Sequence, residues 1–302
     1  MPSLKVSAQN VSIVGDTGLS RKDWTDGAEP VIIDVNSKGR LFRVISSGCS
    51  VRNIAVTGCS DPGGQGFICN PSWRAYPAFS NCVFRNVYSS KNNYSFWVGD
   101  YVSKLFDCAY TNGTGEVTLG GYAYDCDFLN NSHLGYNIVS AYGCRFENNA
   151  VGNRVFMQFG GVLSNCVFKT NSSGNNTIAS SQKDSSTEII ECEFEENSGT
   201  WICNFSNSPG KMNNAVVSGC TFRSNACSVV SMYDNSGVNP LNGTLTITNC
   251  WFLENTASYA DPSTAITSAL KANVVVRGRV DNTNLCEVVG STFSNNYYSV
   301  GY

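Results

Sequence analysis

The residues of this chain that could do chemistry are few and scattered. Its one histidine, His133, sits in Asn131-Ser132-His133-Leu134-Gly135-Tyr136, and with Tyr136 and Arg154 it forms the best available set for general acid–base proton transfer. A turn histidine is by default a surface residue, and geometry must put a base within reach of its proton before its pKa matters. Glycoside hydrolysis calls for two carboxylates flanking the scissile bond, and no Asp-Asp pair occurs. Glu188, Glu191, Glu193, Glu195 and Glu196 could attract a cation, but strand alternation is expected to divide them between faces. The 14 cysteines include no Cys-x-x-Cys and no Cys/His cluster, which argues against zinc. No metal or other cofactor is implied.

Aromatic residues are the better lead. Trp73 with Tyr76 and Phe79, Phe96-Trp97 with Tyr101, Trp201, Trp251 and Tyr297-Tyr298 exceed what an interior requires. Rings on a rigid outer face stack on sugars or bury against a protein, so Trp73, Tyr76, Trp97, Tyr101 and Trp251 are the expected ligand contacts. The segment 61–80 is the longest loop-like insertion among them.

The scaffold that must hold these residues is written as a repeat. A Cys, a Phe two residues later and an Asn three residues after that recur at Cys126–Asn131, Cys144–Asn149, Cys166–Asn171, Cys192–Asn197, Cys220–Asn225 and Cys250–Asn255. Ser291–Asn296 carries Ser in the Cys place, and looser copies read Cys49-Ser50-Val51, Cys82-Val83-Phe84 and Cys108-Ala109-Tyr110. The spacing between copies varies widely. Extra residues would rotate the apolar face of a helical repeat, whereas a β-solenoid extrudes them as loops between strands of fixed position. Cys and Phe, two apart, share one face of a strand. The residues before the phrase (Asn81, Asp107, Asp125, Gly143, Asn165, Glu191, Gly219, Asn249, Gly290) are mostly types that turn the chain or accept a left-handed conformation.

Stacking such rungs about 4.8 Å apart piles Cys on Cys, Phe on Phe and Asn on Asn. The fixed Asn (131, 149, 171, 197, 225, 255, 296) lies among freely varying neighbours such as Asn130, Thr170, Glu196 and Ser224, and so reads as an internal amide ladder that satisfies a buried turn. On the outer face Asp127 precedes Arg145 by one rung, and Glu147, Lys169, Glu195 and Arg223 alternate in sign, which favours a single register. The column cysteines point inward in parallel and are expected to stay thiols. Cys59, Cys69, Cys203, Cys227 and Cys286 lie off the column, with Cys59–Cys69 and Cys203–Cys227 the candidate disulfides.

Phe128-Leu-Asn-Asn131, Phe146-Glu-Asn-Asn149 and their equivalents through Phe293-Ser-Asn-Asn296 resemble the FxxN tetrapeptide of polymorphic membrane protein repeats, of the autotransporter-passenger type. Gly160-Gly161-Val162-Leu163 is similar to that family's second, Gly-Gly-Ala-Ile signature. Asn10–Gly15, Phe42-Arg43 and Cys49–Ile54 resemble the opening rungs of pectate-lyase-like right-handed β-helices. The resemblance implies an all-β, single right-handed parallel β-helix of roughly 11–14 rungs at the strand spacing above. It would run over 1–302, irregular over 1–80 and regular over 81–302. The superfamily includes adhesins, lyases, hydrolases and phage proteins, so fold does not fix activity. Gly-His-Gly, Asp-Pro-His-Asp and Arg-x-Pro-x-x-Arg, motifs of its enzymes, are missing.

Charged residues are 14% of the chain and the net charge is −3, leaving no electrostatic footprint for nucleic acid. No apolar run reaches the length of a membrane span. Met1-Pro2-Ser3-Leu4 lacks a signal-peptide core, and a longer native protein is expected. The reading that follows is an extracellular or surface-displayed binding or structural module, adhesin-like. It would meet a polysaccharide or cell-surface protein through exposed aromatics and could self-associate through open solenoid ends. In a more conservative reading several of the aromatics merely cover those ends. The alternative class is a polysaccharide lyase or glycoside hydrolase built on His133, Tyr136 and Arg154.

Overall fold

The computed structural model describes residues 4–6, 10–15, 31–35, 42–44, 48–58, 60–61, 68–69, 77–89, 94–98, 103–114, 116–132, 136–151, 157–174, 177–181, 186–207, 214–234, 244–257, 274–277 and 286–298. Regular structure there is all short parallel β-strand, with no helix and hence none able to cross a membrane. The chain divides into two compact units, Met1–Ala150 and Val151–Tyr302. Each is a parallel β-helix whose strands lie on their counterparts in the next rung.

In the first unit one wall stacks Ser12–Val14, Ser50–Arg52, Ala78–Ser80, Lys104–Phe106 and the ends of Glu116–Tyr124 and Tyr136–Tyr142. A second wall stacks Ile32–Asp34, Ala55–Thr57, Val83–Arg85, Ala109–Thr111, Asp127–Leu129 and Arg145–Glu147. Its central positions, Val56, Phe84, Tyr110, Phe128 and Phe146, are all buried. The second unit repeats the scheme with Val167–Lys169, Glu193–Glu195, Thr221–Arg223, Trp251–Leu253 and Thr292–Ser294. There the Phe rings lie face over face, with centroids 4.7 Å apart for Phe168–Phe194, 5.1 Å for Phe194–Phe222 and 5.0 Å for Phe222–Phe252. Each buried ring contributes roughly 1.5–3 kcal/mol.

Two left-handed corners bracket each second-wall strand from Ala55–Thr57 to Thr292–Ser294. The first corner falls where the sequence places it, at Asn81, Asp107, Asp125, Gly143, Asn165, Glu191, Gly219, Asn249 and Gly290, all at φ between 49° and 64°. The second corner, two residues past the Phe, is not evident from residue type, because Thr170 (φ 50°), Glu196 (56°), Ser224 (52°) and Glu254 (56°) occupy it beside the more amenable Asn112, Asn130, Asn148 and Asn295. A β-branched residue at positive φ is an outlier, and Thr170 is held there by the rest of its rung.

At each corner the backbone changes the direction in which it hydrogen-bonds, and side chains make up the mismatch. The Asn131 N–H donates to Asn149 Oδ1 (2.9 Å), while Asn149 Nδ2 donates to the Phe128 carbonyl (2.9 Å). In the second unit the Asn197 N–H and Nδ2 donate to Asn225 Oδ1 (3.0 and 3.1 Å), and the pattern continues through Asn255 to Asn296. The rung that carries Tyr110 has Gly113 at the ladder place, and its N–H donates to Asn131 Oδ1 (2.7 Å). A Cβ on Gly113 would fall 2.4 Å from the Tyr110 hydroxyl oxygen, so the larger ring and the missing side chain compensate each other.

The cysteine column works in the same way, beyond the apolar packing expected of it. Cys126 Sγ donates to the Tyr124 carbonyl two residues back (3.1 Å) and accepts from the Cys108 N–H (3.4 Å). Ser291 preserves both bonds, accepting from the Cys250 N–H (3.1 Å) and donating to the Val289 carbonyl (3.3 Å). The substitution is therefore chemically conservative.

Two sequence expectations need correction. Cys49-Ser50-Val51 is not the first copy of the phrase, because Ser50–Arg52 lies in register with Ala78–Ser80 on the first wall. The Cys place in that rung belongs to Ile54, after the left-handed corner Asn53, with Val56 in the Phe column. Cys203 and Cys227 do not form a disulfide; both are buried thiols. Cys203 is in register with Val230, which lies three residues beyond Cys227 along the strand. That offset is about 10 Å, too far for a bridge. Cys59 lies outside the described residues, and Cys69 is placed only on its strand.

The ladder and the corners make opposite stability predictions. Asn225→Ala should cost about 2–4 kcal/mol, since it strands the Asn197 N–H and the Phe194 carbonyl. Thr170→Asn should add up to about 1 kcal/mol by relieving a left-handed Thr. Urea unfolding monitored by circular dichroism reads both.

Burial pushes the Cys108, Cys192, Cys203 and Cys227 thiols above their ordinary value. Their folded pKa exceeds the unfolded one, so their contribution is complete below the unfolded value and is lost as pH rises towards the folded value. The thermal midpoint should hold to about pH 8 and fall above about pH 9. Replacing Cys108 and Cys192 by Ser should lessen that alkaline slope. An unchanged slope would show that other groups cause it.

Candidate functional site

The interior leaves no room for a ligand at the void lined by Phe84, Leu105, Cys108, Ala109, Tyr110, Cys126 and Phe128, whose volume is about 10 Å³, at most a single water. Chemistry or binding there would have to use the outer faces.

The first unit carries an outward aromatic row. Phe106, Tyr124 and Tyr142 each stand two residues before a column cysteine, at the end of a first-wall strand, where the side chain points away from the core. The Phe106 and Tyr124 rings are parallel with centroids 5.0 Å apart and 9° between planes, and Tyr124 and Tyr142 follow at 5.1 Å and 9°. Tyr122, on the same face of the same strand, lies 6.3 Å from Tyr124. Phe106 is exposed and the three tyrosines half-buried. Stacking occupies the faces between the rings, so along its length the row offers solvent its ring edges and hydroxyls.

The surroundings are polar and mostly acidic. Asp107 and Asp125 form the corners immediately after Phe106 and Tyr124. Beyond them Arg145 bridges Asp127 (Nε–Oδ1 3.1 Å), the rung-to-rung pair that the sequence anticipates, and also Glu147 on its own strand (Nη1–Oε2 3.3 Å). Lys104 lies in register with Tyr122. Burial, followed by the neighbouring Tyr142 and Tyr122, raises the Tyr124 pKa, so its hydroxyl stays protonated and able to donate at neutral pH.

Among the expected ligand contacts, Trp251 is outward and 47% exposed. Thr221 and Thr292 occupy its column on either side, and no described ring stacks on it. Trp97 is placed only by its strand, in register with Cys69 and Thr118. Trp73, Tyr76 and Tyr101 lie outside the described residues. Of the catalytic candidates, Tyr136 begins the strand Tyr136–Tyr142, in register with Val117, while His133 and Arg154 lie outside the described residues.

The glutamates are divided between faces, as expected, with Glu188 on the first-wall strand Thr187–Ile190 and the others on the second wall or its corners. Glu193 and Glu195 flank buried Phe194 and so share the outward face, while Glu191 and Glu196 are corners. Lys169 Nζ engages Glu195 Oε2 at 2.7 Å. Among the described residues no three His, Cys, Asp or Glu side chains are grouped to hold a metal ion.

Sequence reasoning missed the Phe106–Tyr124–Tyr142 row because it sought aromatics clustered along the chain. The usable signal was the offset from the repeat: Phe-Asp-Cys, Tyr-Asp-Cys and Tyr-Gly-Cys at 106–108, 124–126 and 142–144.

No protein-family model matches the chain, and no curated protein matches its sequence. Solved structures to which it is distantly similar include PfbA, a surface adhesin of Streptococcus pneumoniae, with 9% identity and a TM-score of 0.32 over 89% of this chain and 81% of that one. Tailspike protein 3 of bacteriophage CBA120 aligns at 8% identity and 0.29, over 88% of this chain and 55% of its own. The periplasmic alginate epimerase AlgG aligns at 10% identity and 0.26, over 87% and 76% respectively. Similarity at this level transfers neither substrate nor residue roles.

Proposed function

We propose that this chain is an extracellular or surface-displayed β-helix module that binds a protein partner along Phe106, Tyr124 and Tyr142. The observation that carries the reading is an outward stack of aromatic rings on consecutive rungs, at positions where core packing does not require them. Rigid tyrosines give large amphipathic contact area at small entropic cost, a property of protein-binding surfaces. Sugar recognition by stacking needs open ring faces, and both faces of the central Tyr124 are taken by its neighbours in the row. The nearby Asp107 and Asp125 favour a partner surface bearing basic groups around hydrogen-bond acceptors.

Trp251 supports a second reading, a glycan contact, because its column neighbours are threonines and not rings. The enzymatic alternative, a polysaccharide lyase or glycoside hydrolase using His133, Tyr136 and Arg154, has no described geometry in its favour. Uronate polysaccharides followed for unsaturated products and new reducing ends would reveal such turnover, and its loss in His133→Ala would displace the binding reading.

The test is binding to immobilised cell-surface and matrix proteins and to a glycan array. Tyr124→Ser with Tyr142→Ser should weaken protein binding by about tenfold or more while the thermal midpoint stays within a few degrees. Trp251→Ala should leave that binding intact. Glycan binding abolished by Trp251→Ala and indifferent to the tyrosines would establish the second reading instead.

A further inference from the structure

The outward column that carries the aromatic row continues past Phe106, and there its residues change character. On the first wall of the first unit it runs Arg52, Ser80, Phe106, Tyr124, Tyr142, each in register with the next. The strand neighbours Val51, Phe79 and Leu105 are buried, so Arg52, Ser80 and Phe106 point outward. Tyr124 covers one face of the Phe106 ring, and the other face looks across the Ser80 rung towards the place of Arg52. Phe106 is 38% exposed, and Arg52 is exposed as well.

The rung between them carries small side chains. Its two outward places hold Ala78 and Ser80, whereas the following rung holds Lys104 and Phe106 and the preceding one ends in Arg52. Small residues between long ones make a recess on a rigid sheet, floored by Ala78 and Ser80. Asn53 and Asn81 form its corner side, with Asn81 Nδ2 donating to Asn53 Oδ1 at 2.9 Å. Two rung spacings, about 9.6 Å, separate the places of Arg52 and Phe106. Rings within the row sit 5.0 and 5.1 Å apart, so one more flat ring fits the recess at the row's own interval. The recess is also cationic, unlike the rest of the row. Among the described residues neither Arg52 nor Lys104 has an ion pair or a side-chain hydrogen bond.

We propose that this recess receives an aromatic side chain of the protein partner, from a segment that also bears a carboxylate. The inference rests on the protein-binding reading above and names the partner's anchor. The incoming ring extends the stack by one place, with Phe106 on one face and the Arg52 guanidinium on the other. A guanidinium is attracted to the face of an indole or phenol ring, which a saturated ring does not offer. The carboxylate answers Arg52 and Lys104, which flank the floor from the preceding and the following rung. Aromatic rings and arginines held in a central pocket carry a large share of the energy in protein interfaces.

Three small probes test it on the full chain by saturation-transfer NMR. N-acetyl-tryptophan supplies ring and carboxylate, N-acetyl-tryptophanamide the ring alone, and methyl glucuronide a carboxylate on a saturated ring. Both indoles should contact the protein, with N-acetyl-tryptophan held about threefold more tightly and that advantage lost in Arg52→Ala or at high salt. Ser80→Tyr places a ring of the chain's own in the recess. It should keep the thermal midpoint or raise it, and weaken N-acetyl-tryptophan binding about tenfold. Phe106→Ser should do the same to binding, and it serves alone if Ser80→Tyr does not fold. Wild-type chain without indole contacts overturns the inference, as do contacts undiminished in the folded variants. Methyl glucuronide bound more tightly than N-acetyl-tryptophan also overturns it, in favour of a sugar acid. Immobilised-protein binding separates this inference from the reading beneath it. Binding that Tyr124→Ser with Tyr142→Ser removes and Ser80→Tyr leaves untouched would keep that reading and sink this one.

Discussion

The structure depends on satisfying backbone N–H groups at left-handed corners. In a parallel wall each strand finds its partners in the rungs on either side, and a corner interrupts that pattern. A buried N–H left without an acceptor costs as much as a lost hydrogen bond or more. The chain supplies acceptors from side chains: Oδ1 of the following Asn at one corner, Sγ or Oγ of the following Cys or Ser at the other. This requirement fixes residue type at two places per rung and leaves loop length free. It also explains the exceptions. Ser291 does what a cysteine does, and Gly113 gives up its side chain only where Tyr110 fills the space.

The same stacking geometry acts differently inside and outside. Inward, Phe over Phe excludes water and locks register. Outward, Phe106, Tyr124 and Tyr142 adopt nearly the same ring separation, yet their rims remain in solvent beside the acidic corners. Stacking costs them freedom that a solvated side chain would keep. What they gain is a rigid amphipathic strip with hydroxyls at fixed intervals, which would lose little further entropy on meeting a partner. Preorganisation of this kind follows from rung spacing without any special loop.

Much of this was legible in the sequence, and the failures have physical causes. The Phe column, the amide ladder and the first corner all follow from spacing, because a column position must serve every rung. Cys49 misled because residue type was read before corner position: Gly48 and Asn53 both turn left-handed, and only the pairing with Ala78–Ser80 and Val83–Arg85 decides between them. The second corner was hidden by Thr170, Glu196 and Glu254, whose conformation is imposed by the rung against their own preference. Cys203 and Cys227 sit on adjacent strands, so sequence could suggest a bridge, but the register that pairs Ser198 with Ala226 and Cys203 with Val230 sets them three residues apart along the strands, and sequence does not reveal that register.

The directionality of the ladder bears on cooperativity. Each Asn amide between two rungs depends on both neighbours, since Asn225 accepts from Asn197 and donates to Asn255 and to the Phe194 carbonyl. Removing one amide therefore leaves unmet groups on the preceding rung even where the following rung is intact. Stability in such an array behaves as a sum of rung terms and neighbour terms, with the neighbour terms dominant. The rung that ends the array has the fewest neighbour terms, and Phe293 and Asn296, ordered by one side alone, occupy that position among the described residues.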